Sequence, residues 1–199
     1  MKTSILKYLI VVLFLTSCEN QIIEIKDYGT PKKRNEKVDV LLDLSEFRNY
    51  GIFTDRIREI TCNDSVPKIV IKQENSLRNI YPTEHCEPII FDPKGKHYVT
   101  FRDGKPYSQR TSVEILSDSL GEKLKNDFSY YFRNSNNSGE PNSYLVIIES
   151  KRTENLDGIE EFLIDLSQEY DNLKSDRVLN ISFWDLFPYV PPPKKKSIN

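Results

Sequence analysis

Leu116, Leu120, Leu124, Phe128 and Phe132 recur every four residues, and Val113 stands three residues before the first of them. On an α-helix that spacing lays the apolar side chains along one face, which must be buried. A second such helix is marked by Ile159, Phe162, Leu163, Leu166 and Tyr170, with Glu160, Glu161, Asp165 and Glu169 turned to water. Between the two, residues 144–148 form a short apolar run of strand composition, and residues 178–183 read as a closing strand. Residues 133–143, with Asn-Asn-Ser-Gly-Glu-Pro-Asn, supply nothing apolar to hold them down and predict an exposed loop.

Upstream, turn chemistry takes over from helical period. Asp92-Pro93-Lys94-Gly95 matches a type I turn, and Arg102-Asp103-Gly104-Lys105 carries the Asp-Gly pair that favours a tight hairpin. Residues 89–91, 97–101 and 106–107 would then run up, down and up as a meander. Earlier still, residues 38–42 and 68–72 are β-prone, the second directly after Pro67, and residues 54–60 fit a short helix capped by Thr54. The expected class is α+β, a small mixed sheet containing a β-meander with two amphipathic helices packed on one face.

The N-terminus addresses location. Lys2 and Lys7 precede an apolar run at residues 5–15, close to the ~7–15 residues of a signal core and short of the ~20 that span a bilayer. Leu15-Thr16-Ser17-Cys18 then resembles the lipobox of bacterial lipoproteins. The resemblance implies cleavage before Cys18 and a lipid on Cys18, so the expected partner is the membrane and the expected location the bacterial cell envelope, inner or outer membrane undecided. The alternatives are an ordinary secretory signal or an uncleaved anchor with an incidental cysteine. The expected organisation is a signal peptide at 1–17, a polar tether at 18–37, one α+β domain at 38–187 and a flexible tail at 188–199 with Pro191-Pro192-Pro193 before Lys194-Lys195-Lys196.

Charge excludes one class of partner. Taking Lys2 and Lys7 from the 28 basic residues leaves 26 against 30 acidic ones, a formal net charge of about −4. The basic clusters at Lys32-Lys33-Arg34 and Lys194-Lys195-Lys196 are three residues each and sit in polar or proline-rich arms, so nucleic acid is not an expected partner. With Cys18 assigned to lipid, Cys62 and Cys86 are left to pair. In an oxidising compartment their bond would close a loop of about 25 residues and contribute about 3 kcal/mol. Two free thiols are the alternative, because spacing alone does not bring two Cα atoms within reach.

The order of elements from residue 87 to 183 resembles the periplasmic domain of the ExbD/TolR family. The matching segments are Pro88-Ile89-Ile90-Phe91-Asp92-Pro93-Lys94-Gly95-Lys96-His97-Tyr98-Val99, the helix with Leu116, Leu120 and Leu124, then Tyr144-Leu145-Val146-Ile147-Ile148 and Arg177-Val178-Leu179-Asn180-Ile181. The resemblance implies a domain that contacts the cell wall or partner proteins beside a proton-conducting membrane channel. The channel function of that family uses an aspartate within a spanning helix, and residues 5–17 contain no carboxylate. The binding domain alone is therefore what the resemblance carries over.

Catalytic patterns fare poorly. His85, Cys86, His97 and Cys62 form no CxxC or HExxH, no GxSxG, Walker loop or GxGxxG occurs, and the chain holds only 7 glycines to cradle a phosphate. Neither a metal nor a cofactor is expected. The aromatic ending offers Trp184, Phe187 and Tyr189, which read either as rings capping the core or as a partner-binding patch beside a proline-rich tail. The expected function is a membrane-anchored envelope lipoprotein with a non-catalytic binding domain, accessory to an ExbD/TolR-like energy-transduction or envelope system and directed at a protein or cell-wall partner. The rivals are an immunity-type or inhibitor lipoprotein that binds a toxin or hydrolase, and an enzyme assembled from scattered residues around His85 and His97.

Overall fold

The structure of the protein, a computed structural model, describes residues 23–29, 37–73, 75–83, 86, 98–108, 112–133, 143–175 and 178–186. Strands β1 (Glu24–Tyr28), β2 (Asp39–Leu42), β3 (Val66–Gln73) and β4 (Ser76–Ile80) form one sheet in the order β1-β4-β3-β2. Strands β5 (Tyr98–Arg102), β6 (Lys105–Ser108), β7 (Val113–Glu114), β8 (Ser143–Ser150) and β9 (Val178–Asp185) form another in the order β7-β6-β5-β8-β9. Helix α1 (Tyr50–Cys62) joins β2 to β3, α2 (Leu120–Arg133) lies between β7 and β8, and α3 (Ile159–Leu173) between β8 and β9. The class is α+β, with the strands shared between two mixed sheets.

Each sheet follows from its connections. A helix between β2 and β3, and another between β8 and β9, returns the chain to the end of the sheet where the preceding strand began, and both pairs are parallel. The antiparallel neighbours are β3 with β4, β5 with β6 and β6 with β7. The second and third strands of the expected meander, 97–101 and 106–107, correspond to β5 and β6, and the third strand of the observed meander is instead β7. At the tip of the β5–β6 hairpin Asp103 and Gly104 both have positive φ, 52° and 75°, as a primed turn requires. Residues 89–91 and the Asp92-Pro93-Lys94-Gly95 turn lie outside the described residues, as do the leader, most of the 133–143 loop and the C-terminal tail.

One apolar cluster runs through both sheets. Phe53 and Ile57 of α1 meet Leu42, Ile69 and Ile71 in it, and Phe53 lies edge-on to Phe183 of β9 with ring centroids 5.0 Å apart. Leu163 and Leu166 of α3 and Leu120 and Leu124 of α2 cover the same face of the second sheet, where Phe101 stacks on Phe162 at 4.4 Å. Thr83 stitches the sheets together at their shared border, its amide donating to the Ile181 carbonyl at 2.7 Å while Ser182 Oγ donates to the Thr83 carbonyl at 3.1 Å.

Three local expectations are corrected. Glu24–Tyr28, inside the stretch read as tether, is a strand: β1 pairs in parallel with β4 and buries Tyr28. The α1 helix starts at Tyr50 rather than Thr54, because the Asn49 side chain accepts from the Ile52 amide at 3.0 Å and provides the cap. Thr54 is buried within that helix and donates to Asp185 Oδ1 at 3.2 Å. On the α2 side, Val113 and Leu116 do not extend the helical stripe. They are 60% and 64% exposed, because β7 and a 3-10 turn at Ser117–Ser119 precede the helix, and Ile115, between strand and turn, is buried instead.

Candidate functional site

Parallel β5 and β8 end side by side, and the two loops that leave them enclose a cavity of about 290 Å³. Ligands of sheets with parallel strands gather at such carboxyl ends, because the loops diverge there and leave a crevice. Its apolar wall is Phe101, Ile148 and Ile159; its polar rim is Asp103, Glu149, Ser150, Glu154, Asn155 and Asp157. Phe101 is held by Phe162 beneath it, and Ile148 by the sheet.

The rim is built from charges that hold one another. Arg102 Nε stands 3.4 Å from Glu149 Oε1. Burial pushes the Glu149 carboxyl above its ordinary range, Arg102 opposes that shift, and Asp103 adds to it. Glu154 behaves in the opposite sense: Lys151 Nζ at 2.9 Å and Ser150 Oγ at 2.8 Å donate to it and hold its carboxyl below the usual range. Asn155 Nδ2 donates to Asp157. Environment thus shifts two neighbouring carboxyls in opposite directions.

The 151–158 loop owes its shape to α1. The first two amides of that helix, Tyr50 and Gly51, donate to the Glu154 and Arg152 carbonyls at 2.7 and 2.9 Å, so the loop supplies acceptors that the helix lacks within itself. Arg152 then reaches across with Nη2 to Asp55 Oδ2 at 2.6 Å and Nη1 to Asp185 Oδ2 at 2.8 Å. Close approach is possible because position 51 has no side chain: a Cβ there would lie 2.9 Å from both the Cβ and the carbonyl oxygen of Arg152. Tyr50 Oη donates to the Ile148 carbonyl at 2.6 Å, beneath the cavity wall.

On the sheet face away from the helices, a row crosses the strands beside this cavity. Trp184 of β9 stands opposite Glu149 of β8, Glu149 pairs with Arg102 of β5, and the Arg102 guanidinium lies 5.5 Å from the Tyr107 ring centroid of β6. Trp184 is half-buried there. The arrangement offers an aromatic surface, an apolar wall and several hydrogen-bond acceptors, which is the chemistry of recognition of a donor-bearing partner.

Among the residues singled out in the sequence, Cys62 and Cys86 are joined as a disulfide with the sulfurs 2.06 Å apart, tying the end of α1 to the segment after β4. Cys18, His85, His97, Phe187 and Tyr189 lie outside the described residues. Within the described residues no group of three or more His, Cys, Asp or Glu side chains is placed to hold a metal ion, and no helix is long and apolar enough to cross a membrane. Glu149, Arg102, Glu154 and Arg152 were not singled out. The signal for Glu149 was available, as the first charge after the apolar run Tyr144-Leu145-Val146-Ile147-Ile148 marks the carboxyl end of a buried strand. Comparison with protein-family models, with curated proteins and with solved structures gives no match for this chain.

Proposed function

We propose that this protein is a lipid-anchored lipoprotein of the bacterial cell envelope whose α+β domain acts by binding. The observation that carries this is the cysteine arrangement. One cysteine closes Leu15-Thr16-Ser17-Cys18, and the two that remain, Cys62 and Cys86, are paired with each other. A structural disulfide belongs to a compartment that keeps thiols oxidised, which an exported protein reaches. A lipidated Cys18 would then attach the domain to the membrane, stably where two or more acyl chains are present.

The order β5, α2, β8, α3, β9 supports kinship with the ExbD/TolR periplasmic domain, with β6 and β7 standing between β5 and α2 and the 88–97 segment of the resemblance lying outside the described residues. On that basis the protein serves as an accessory of an ExbD/TolR-like energy-transduction or envelope system, and its partner is a protein or the cell wall. The cavity at the ends of β5 and β8, with the Trp184, Glu149 and Arg102 row beside it, is the surface that would meet this partner. A second reading, an immunity-type or inhibitor lipoprotein, is favoured by the carboxylates of Asp103, Glu149, Glu154 and Asp157 around one opening, which suit a basic partner.

The anchor is tested by growing cells that express the full chain with labelled palmitate, alongside Cys18→Ala. Label on the wild type, absent from the variant, together with a mature mass beginning at Cys18, is the expected result. Label retained by the variant, or an intact Met1 on the isolated protein, ends the proposal.

A further inference from the structure

Among the described residues β1 is an edge of the first sheet. Its alternate residues turn to β4: the Glu24 amide donates to the Asn75 carbonyl at 3.0 Å, and the Tyr28 carbonyl accepts from the Tyr81 amide at 2.8 Å. In a parallel ladder the residues between these point their backbone groups the other way, so the amide and carbonyl of Ile25 face away from the sheet. The side chains of Ile23 and Ile25 are exposed, Ile25 by 65%. Among the described residues no strand pairs with this side of β1, and a sheet edge with apolar side chains is a template for another strand.

The sequence of the edge selects which strand fits. About a two-fold axis at Ile25, an antiparallel second β1 sets Ile25 against Ile25, Glu24 against Lys26 and Lys26 against Glu24. Opposite charges directly across an antiparallel pair stabilise it and like charges oppose it. Moving the axis by one residue in either direction sets Glu24 against Glu24 or Lys26 against Lys26, so only the Ile25-centred register among these three is charge-matched. The other edge of the sheet lacks this property: β2 centred on Leu41 would set Asp39 against Asp43. Lys26 Nζ also stands 3.0 Å from Asp171 Oδ2 and 3.4 Å from Glu24 Oε1 on the same sheet face.

We propose that β1 pairs antiparallel with β1 of a second copy of this chain, in the register centred on Ile25, so that the first sheets of two molecules join edge to edge. The contact is isologous and closes at two copies. It does not require the anchor at Cys18.

The register makes a test. In the hydrogen-bonded pair at the axis the two Ile25 Cα atoms lie about 5.5 Å apart, whereas the two Asp27 Cα atoms lie about 14 Å apart along the strands. The full chain carrying Ile25→Cys, oxidised under mild conditions, is expected to form a disulfide dimer roughly tenfold faster than Asp27→Cys. Ile23→Cys mixed with Asp27→Cys should cross-link across the axis, and neither alone. Wild type in parallel reports any contribution of Cys18. Ile25→Lys, at an exposed position, should shift the sedimenting species from dimer to monomer with an unchanged circular dichroism spectrum. A wild-type monomer at every concentration, equal cross-linking at positions 25 and 27, or a dimer indifferent to Ile25→Lys overturns the proposal.

Discussion

Arg78 and Asp171 meet at 2.9 Å between the first sheet and the last turn of α3, with the Arg78 side chain only 8% exposed. The pair belongs to a larger knot. Tyr28 Oη donates to both Asp171 oxygens at 2.9 Å, Arg78 Nη1 donates to Tyr28 Oη, and Arg78 Nε donates to Gln73 Oε1 at 2.8 Å. Lys26 adds a second cation to Asp171 and has its own pKa raised by that hydrogen bond. A buried guanidinium needs its carboxylate, so Asp171→Ala is expected to destabilise by about 3 kcal/mol. Tyr28→Phe, which removes one hydroxyl and keeps the ring, should cost about 1 kcal/mol. Urea unfolding measures both.

The same tyrosine governs behaviour in alkali. Burial, with the hydrogen bond to Asp171, raises the Tyr28 pKa well above its ordinary value of 10.0, and the Arg78 charge only partly opposes this. The contribution of the neutral phenol is therefore complete below pH 10 and is lost as pH climbs toward the raised folded value. Unfolding free energy measured from pH 8 to pH 11 should fall more steeply for the wild type than for Tyr28→Phe.

Glu149 predicts an opposite kind of variant, one that gains. Burial raises its folded pKa, so the stability linked to this group is full below its unfolded value near 4.5 and is lost as pH rises through the folded one. Glu149→Gln should accordingly be more stable than wild type at pH 7, with the advantage gone by pH 4. Arg102 is one-third exposed, so water takes over its lost partner. Denaturant midpoints at the two pH values decide the matter.

Gly51 tests how the rim of the cavity is held. Alanine there would drive a methyl into Arg152, and the expected cost is about 2 kcal/mol. A crystal or NMR comparison should show the 151–158 loop displaced while α1 persists, since the Asn49 cap is untouched.

The disulfide spans a sequence separation of 24 residues, between the end of α1 and the chain leaving β4. Replacing both Cys62 and Cys86 by serine should lower stability by about 3 kcal/mol and make unfolding insensitive to reductant. A wild type whose urea midpoint ignores reductant would contradict this.

What was readable in the sequence follows the range of the forces involved. β8 was visible because Tyr144-Leu145-Val146-Ile147-Ile148 is a continuous apolar run, and α3 because Ile159, Phe162, Leu163 and Leu166 keep the helical period. The Asp103-Gly104 turn was visible because it is local chemistry. β1 was hidden, since Glu24-Ile25-Lys26-Asp27 looks like solvated chain until Arg78 and Asp171, far away in sequence, give its charges and Tyr28 somewhere to go. Val113 and Leu116 misled because a strand residue and a turn residue fell by spacing onto the helical period of α2. The cavity was equally hidden: Phe101, Glu149 and Asp157 are brought together only by the parallel pairing of β5 with β8 and by the grip of α1 on the following loop. Trp184 was picked out by its chemistry, and the structure sets it beside Glu149 rather than deep in the core.

The place of β1 also shortens the leash. Only five residues separate Cys18 from Glu24, and fully stretched they reach at most about 20 Å. A molecule held by a lipid at that cysteine would ride close against the bilayer surface with little room to roam, its first strand never farther from the anchor than that span.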